Sequence, residues 1–183
     1  MKAPLQLSTC FPELDLIGDQ RLRAGVEAVW EELWQASAWG SLDDLPTSPE
    51  IPYPHVPHNR SVIRMALAVA DAFEAFHGVT VDRDLLLAGG LLQDASKLVE
   101  YALEEGRVVL TELGRTYPHS FWAAHLALKH GLPSGVCHII LTHTPQGSQF
   151  PASLEGKILY YLDQLDVIAI HKDRWRKELW ITK

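Results

Sequence analysis

One apolar run that turns abruptly polar limits what this chain can fold into. Residues 85–92 read LLLAGGLL and are followed directly by Gln93 and Asp94 and then by Lys97. A helix that is apolar on every side lies at the centre of a domain, so the carboxylate of Asp94 would be withdrawn from water. That withdrawal costs several kcal/mol unless a cation, a metal ion or hydrogen-bond donors compensate for it. A water-facing Asp94 and Lys97 pair at the end of the helix is the simpler alternative.

The spacing of apolar residues predicts a mostly helical chain with Pro and Gly between the helices. Gly78 is suited to end one helix and Asp82 to cap the next. Asp94, Lys97 and Tyr101 are expected on one face of the helix that Asp82 caps, since they recur at three- and four-residue spacing. We expect an all-α bundle of about six to seven helices. The predicted elements are a helix at 19–37, a Pro-rich excursion at 39–57 that covers a pocket, helices at about 58–78 and from 82 onward, a small β-hairpin near 103–112, and helices at about 119–130, 133–142 and 151–171.

Composition narrows the class of protein. The formal net charge of −7, with 47% hydrophobic and 21% charged residues, is ordinary for a soluble domain and argues against a nucleic-acid-binding surface spread over the chain. No apolar stretch reaches the roughly 18 residues of a membrane span. A chain of 183 residues fits a single domain, 1–183. Cys10 and Cys137 are the two cysteines and the N-terminus lacks the apolar core of a secretory signal, so we expect a cytoplasmic protein.

The C-terminal segment 171–183, HKDRWRKELWITK, is basic and contains two tryptophans. Its pattern is typical of a peripheral amphipathic helix, and a docking or anionic-ligand role is the alternative. Terminal helices that contain tryptophan could pair two subunits, so a homodimer is one expectation.

Histidines and aspartates suited to metal binding or acid–base chemistry recur along the rest of the chain. The candidates are His58, His119 and His143, each at the end of a predicted helix, and Asp163 in the apolar run ILYYLDQLD. A single histidine at a helix end is more often a capping residue, so each is weak alone. Asp163 is preferred to Asp166 as the inward-facing carboxylate, and His55 is an alternative to His58. If the helices converge, these groups meet Asp94 at one centre.

The order of these residues resembles the HD-domain superfamily of metal-dependent phosphohydrolases. That family has the pattern His, His-Asp, His, His, Asp on a bundle of five or more helices. Here HNRSV, LLQDASK, His119, HIILTH and ILYYLDQLD stand in the matching order. The resemblance covers about 56–170, which would be the HD-like core, with the N-terminal helix and Pro-rich loop of 1–55 as an extension. One position departs from the pattern, because Gln93 stands where the family has the histidine of its His-Asp pair.

The resemblance implies two metal sites that share Asp94. Their ligands would be His58, position 93, Asp94 and Asp163 in one site and Asp94, His119 and His143 in the other. An amide oxygen is a weaker ligand than imidazole for a transition metal, so Gln93 should weaken only the site that contains His58 and Asp163. The expected cofactor is a divalent ion of Fe, Mn, Ni, Co, Zn or Mg, with one ion, two ions or a lost site as the alternatives.

The resemblance also implies roles in catalysis and substrate binding. Lys97 follows Asp94 as in the family's HD-x-x-K pattern, in which the lysine contacts an anionic or hydroxylated substrate. The catalytic candidates are Asp94, Lys97 and His58, and the substrate-binding candidates are Lys97, Gln93, Tyr101 and Arg115.

Three functions are compatible with this pattern. The first is a metal-dependent hydrolase of the phosphohydrolase type, which uses a metal-activated water on a small anionic metabolite. The second is a divergent lyase, hydratase or oxygenase that acts on an aromatic or carboxylate substrate, with or without metal. The third is a non-enzymatic module that binds a ligand or partner, since one scaffold hosts many activities. The expected partner is a small-molecule substrate, with neither nucleic acid nor a membrane.

Overall fold

The structure is a computed structural model that describes residues 2–147 and 149–170. It is mostly helical with two small antiparallel hairpins, which confirms the predicted fold class. The helices are α1 (Leu7–Cys10), α2 (Gln20–Ala36), α3 (His55–His77), α4 (Arg83–Leu92), α5 (Lys97–Glu100), α6 (Glu112–Thr116), α7 (Phe121–Lys129), α8 (Ser134–Thr142) and α9 (Leu154–Ile170). Short 3₁₀ helices cover Pro12–Leu16 and Leu42–Asp44, and the strands are β1 (Pro46–Ser48), β2 (Ile51–Pro54), β3 (Tyr101–Glu104) and β4 (Arg107–Leu110). Among these residues, no helix is both long and apolar enough to cross a bilayer. The helix predicted for 171–183 lies outside the described residues.

α4 is the central helix of the bundle, and two glycines allow its neighbours to approach it. α2, α3, α8 and α9 all pack against α4. A Cβ on Gly89 would lie 2.7 Å from the side chain of Ile139 on α8, and a Cβ on Gly90 would lie 2.9 Å from that of Ile63 on α3. α4 is buried over most of its length, as the apolar run predicts. The chain that leaves α4 therefore stays in the interior, where Asp94 is 2% exposed.

The segment before residue 56 packs into the same core as the helices that follow it. Trp30 of α2 is fully buried, and its indole Nε1 donates to the Leu91 carbonyl of α4 at 3.0 Å. Trp39 donates in the same way to the Tyr101 carbonyl at 3.0 Å. These bonds tie the N-terminal part to the end of α4 and to β3, on either side of Asp94.

Four element predictions differ in detail from the structure. The Pro-rich excursion 39–57 contains the β1–β2 hairpin, and α3 begins at His55 rather than near residue 58. The helix capped by Asp82 ends at Leu92 instead of continuing through Tyr101, which begins β3. His119 precedes α7 rather than opening it.

Long-range hydrogen bonds hold the turn at 93–96 that ends α4. The Gln93 carbonyl accepts from the Ser120 hydroxyl at 3.1 Å, and the Ser96 hydroxyl accepts from the Ala123 amide at 2.7 Å. Within the turn the backbone bonds span three residues instead of four, as in a 3₁₀ turn. Because Ser120 and Ala123 lie beside and within α7, the periodicity of 85–101 alone does not predict that α4 ends at Leu92.

The hairpin predicted near 103–112 is confirmed at 101–110. β3 and β4 pair from Tyr101 and Leu110 inward to a two-residue turn. Glu105 and Gly106 form that turn with positive φ angles of 50° and 76°, the backbone that short hairpins with right-handed twist require.

Candidate functional site

The five predicted metal ligands converge on one point of the interior. They lie on α3, in the turn after α4, before α7, at the end of α8 and on α9, in the order His58, Asp94, His119, His143 and Asp163. Their ligand atoms form two groups, and within each group all atoms lie within 4.8 Å of one another. We call Asp94, His119 and His143 the first triad, and His58, Asp94 and Asp163 the second triad. The described residues therefore contain a buried His/Asp cluster that could bind a metal ion.

Asp94 belongs to both triads and faces each with a different oxygen. Its Oδ1 lies 3.2 Å from His119 Nε2 and 3.4 Å from His143 Nε2. Its Oδ2 lies 3.6 Å from His58 Nε2 and 2.7 Å from Lys97 Nζ. One carboxylate thus occupies the bridging position between the two triads.

Each of the three imidazoles is held through its other ring nitrogen. The three acceptors, each 2.7 Å from an Nδ1, are Asp166 for His58, Glu100 for His119 and the Ile140 carbonyl for His143. A proton on Nδ1 leaves the lone pair of a neutral ring on Nε2, which points at the triads. Histidines that bind metals are usually oriented in this way, through a carboxylate or carbonyl at the far nitrogen.

Asp166 and Glu100 are themselves fixed by further donors. The Ser61 hydroxyl donates to Asp166 Oδ1 at 2.5 Å, and the Ser120 amide donates to Glu100 Oε1 at 2.9 Å. Both carboxylates are buried and orient the imidazoles beside them. From the sequence Asp166 is expected only as a reserve for Asp163, although a spacing of three residues puts both on one helix face. No sequence pattern pairs Glu100 with a histidine 19 residues later.

Asp94 stays ionised although it is buried. Burial raises the pKa of Asp94, but Lys97 and the hydrogen bond from His119 outweigh burial and hold that pKa well below its usual range. Lys97 is itself only 6% exposed, so the ion pair between Lys97 and Asp94 is buried. A water-facing pair, the simpler interpretation of this stretch, is therefore excluded.

Carboxylates raise the pKa of two of the histidines. Burial lowers the pKa of His58, but hydrogen bonds to Asp163 and to the other two nearby aspartates raise it to about 11. Burial likewise lowers the pKa of His119, and Asp94 and Glu100 raise it to about 9. Protons on these rings balance the surplus of buried carboxylates. A divalent cation would supply the same positive charge and displace the protons on Nε2.

The first triad fits a metal ion because one of its ring nitrogens has no hydrogen-bond partner among the described residues. His143 Nδ1 donates to the Ile140 carbonyl, and His143 Nε2 is buried without a partner 3.4 Å from Asp94 Oδ1. A nitrogen lone pair and a carboxylate oxygen repel each other unless a cation lies between them. The donor set of two imidazoles and one carboxylate is one that transition metals accept.

His55, the alternative to His58, does not join the cluster. Its ring packs against those of Phe11 and Trp30, with centroid distances of 6.4 and 6.0 Å. Burial lowers the pKa of His55 to about 3. His55 is therefore a neutral core residue, and the histidine that faces the triads is His58.

A cavity of about 260 Å³ opens onto the triads. Its wall includes His58, Asp94, Lys97, Tyr101, His119 and Asp163. The β1–β2 hairpin adds Thr47, Ser48 and Ile51, so the Pro-rich segment lines a pocket as expected. The site is thus buried at the triads and open to a small ligand on the side of Lys97.

The substrate-binding candidates divide between this cavity and the surface. Lys97 and Tyr101 lie in the cavity wall, and Gln93 is fully buried beside Asp163. Arg115 is exposed on α6, where its guanidinium donates to the carbonyl of residue 110. α6 has no buried residue and contributes none to the cavity wall, so the structure does not bring Arg115 to the cavity.

Comparison with known proteins finds two relatives. One is the dihydroneopterin 2',3'-cyclic phosphate phosphodiesterase of Methanocaldococcus jannaschii, 33% identical over 120 residues, which are 61% of this chain and 45% of that protein. The other is the 3'-5' exoribonuclease YhaM of Bacillus velezensis, 31% identical over 134 residues, which are 64% of this chain and 39% of that protein. The chain therefore spans less than half the length of either relative.

The names of both relatives describe enzymes that cleave phosphate esters. No family model and no solved structure matches the chain. Both relatives are named as hydrolases, one of a cyclic phosphate and one of RNA.

Proposed function

We propose that this chain is an HD-type phosphohydrolase that binds a divalent metal ion in the first triad and hydrolyses a phosphoester of a small anionic metabolite. The observation that supports it most directly is the convergence of His119 Nε2 and His143 Nε2 on Asp94 Oδ1. Two histidines and one carboxylate leave coordination positions open for water or a substrate oxygen. The names of the two relatives agree with chemistry at a phosphoester.

The proposed mechanism assigns distinct tasks to the side chains around the cavity. A bound ion would lower the pKa of water and stabilise the charge that develops on the phosphate oxygens. Hydrolysis forms a bond between the water oxygen and phosphorus and breaks a P–O ester bond. The attacking water gives up one proton, and the leaving oxygen takes up one. Lys97 Nζ lies in the cavity wall, where it would pair with a phosphate oxygen. Asp94 holds Lys97 and the first triad in one arrangement, and His58 supports Asp94 from the other side.

A small phosphodiester is the substrate class that we favour. Lys97 is the one Lys or Arg side chain in the cavity wall among the described residues. A diester carries a single negative charge and so requires less positive charge around it than a dianionic monoester. A cavity of about 260 Å³ and a net charge of −7 favour a small molecule over a long nucleic acid.

Metal analysis followed by a substrate screen tests the proposal. Protein purified without chelator is analysed for bound elements and then assayed on p-nitrophenyl phosphodiesters, 2',3'-cyclic nucleotides and phosphomonoesters with Mn²⁺, Fe²⁺, Ni²⁺, Co²⁺ or Mg²⁺. We expect turnover of diesters that depends on one of these ions and is lost with chelator. Trace metal only, with no ion changing turnover, contradicts the proposal. Turnover of aromatic or carboxylate substrates that lack an ester would favour the lyase, hydratase or oxygenase alternative.

The carboxylate of Glu100 provides a test that does not touch the proposed ligands. Glu100→Gln replaces the acceptor that orients His119, so we expect metal affinity to fall by about 10- to 100-fold, the usual effect of removing such a support. Titration calorimetry with Mn²⁺ measures this directly. Glu104→Gln, an exposed residue on β3, is the matched control and should bind Mn²⁺ like the wild type. Equal affinity in the two variants would argue against a ligand role for His119.

A further inference from the structure

The two triads differ in how far their acceptor atoms are satisfied by protein donors. In the second triad, Asp163 Oδ1 lies 3.2 Å from His58 Nε2 and accepts from Gln93 Nε2 at 3.4 Å. Asp163 Oδ2 accepts from Gln164 Nε2 at 3.1 Å. Both oxygens of this carboxylate therefore already have donors, two of them neutral amides.

The first triad shows the opposite situation. His143 Nε2 is buried without a hydrogen-bond partner and faces Asp94 Oδ1. Among the described residues, no amide side chain donates to Asp94. The side chains nearest to Asp94 Oδ1 are those of His119 and His143. When the His143 proton is on Nδ1, the Nε2 lone pair faces Asp94 Oδ1, and an ion between these two atoms would bind both. Both oxygens of Asp163 already accept from protein donors, so the first triad gains more from an ion than the second.

The orientation of the Gln93 amide follows from the same reasoning. Rotating the amide by half a turn would place Gln93 Oε1 against Asp163 Oδ1, and two acceptor oxygens at that distance repel. The observed orientation leaves Gln93 Oε1 buried without a partner but keeps the N–H on Asp163. In this orientation the amide presents hydrogens, not a lone pair, to the second triad.

We infer that the chain holds a single divalent cation, in the first triad, and that Gln93 closes the second triad to a second ion. The inference rests on the proposed metal-dependent function but goes beyond it, since it fixes the number of ions and gives Gln93 a role in setting that number. A neutral amide that donates to Asp163 competes with an ion for that carboxylate, whereas an imidazole at position 93 would add a ligand. His58 and Asp163 of the second triad then hold Asp94 in place through contacts between protein side chains and do not bind a metal ion.

Counting Mn²⁺ ions in the wild type and in Gln93→His tests the inference. Calorimetry and elemental analysis should give one equivalent for the wild type and a second equivalent for Gln93→His. Electron paramagnetic resonance should show an isolated Mn²⁺ ion in the wild type and exchange- or dipole-coupled ions in the variant. The control Gln146→His adds the same histidine at the exposed part of the cavity wall and should bind one ion.

Single-site variants of the wild type locate the ion even if Gln93→His does not fold. His143→Ala should lose the bound equivalent, and Asp163→Asn should keep it. Two equivalents in the wild type would overturn the inference and leave the proposed function standing. Loss of the ion in Asp163→Asn but not in His143→Ala would overturn the inference and the placement of the ion in the first triad, and would leave metal-dependent hydrolysis standing. Wild-type protein that binds no ion at all would overturn both.

Discussion

Asp94→Asn is expected to abolish metal binding and to lower kcat/KM for a phosphodiester by about 10³-fold or more, the scale seen when a residue that organises a whole catalytic group is removed. Asp94 is the one residue shared by both triads, and Lys97 contacts its Oδ2 at 2.7 Å. An amide at this position removes the negative charge that His119 and His143 face, and it replaces one acceptor oxygen with an NH₂ donor. The substitution therefore disrupts the proposed metal site and the proposed phosphate contact together.

The measurement pairs steady-state kinetics with Mn²⁺ titration of the same preparation. Asp43→Asn is a matched control, because Asp43 is an exposed aspartate in the 3₁₀ helix Leu42–Asp44, away from the cavity. The control should keep wild-type kinetics and metal content. Wild-type turnover by Asp94→Asn, with circular dichroism showing an intact fold, would place the reaction elsewhere in the molecule.

The burial of Asp94 could be predicted from the sequence, but the turn that contains it could not. An apolar run such as 85–92 is typical of a central helix wherever it occurs, because its faces have no polar side to turn to water. The end of α4 depends instead on Ser120 and Ala123, whose hydrogen bonds reach back to residues 93 and 96. Gly89 raises the same difficulty, since the reason for a glycine there is the side chain of Ile139 on α8. The spacing of apolar residues within one segment predicts neither of these contacts with a distant helix.

The predicted ligands of the candidate site were easier to identify from the sequence than the residues that orient them. Metal-type residues are recognisable by chemistry and order, which is why the predicted ligands could be chosen from the sequence, and the structure brings them together. Their role as ligands stays a prediction. Asp163 and Asp166 lie one helical turn apart and share a face, so helical counting could not assign one to the second triad and the other to His58 Nδ1. Arg115 is near the proposed site in sequence, but such nearness does not predict whether α6 reaches the cavity, and no residue of α6 lies in its wall.

Lys97→Met is expected to lower the free energy of unfolding by about 3 to 5 kcal/mol, since it removes one partner of a buried ion pair and leaves the other charge uncompensated. Methionine keeps much of the aliphatic volume of lysine, so the loss reports on charge more than on packing. Added Mn²⁺ should recover part of the loss if an ion binds beside Asp94, because a second cation then faces the same carboxylate. The variant should also raise KM for a phosphodiester if Lys97 pairs with the phosphate.

Urea denaturation with and without Mn²⁺ measures the stability change, and Lys157→Met, an exposed position on α9, is the control for loss of a lysine charge. The control should unfold at nearly the wild-type urea concentration. If Lys97→Met unfolds like the control, the contact between Lys97 and Asp94 does not stabilise the buried carboxylate, and the positive charge that holds Asp94 ionised must come from the histidines. If Lys97→Met is destabilised equally with and without Mn²⁺ while metal still binds, the ion does not lie against Asp94, because a cation in contact with that carboxylate reduces the cost of losing the lysine.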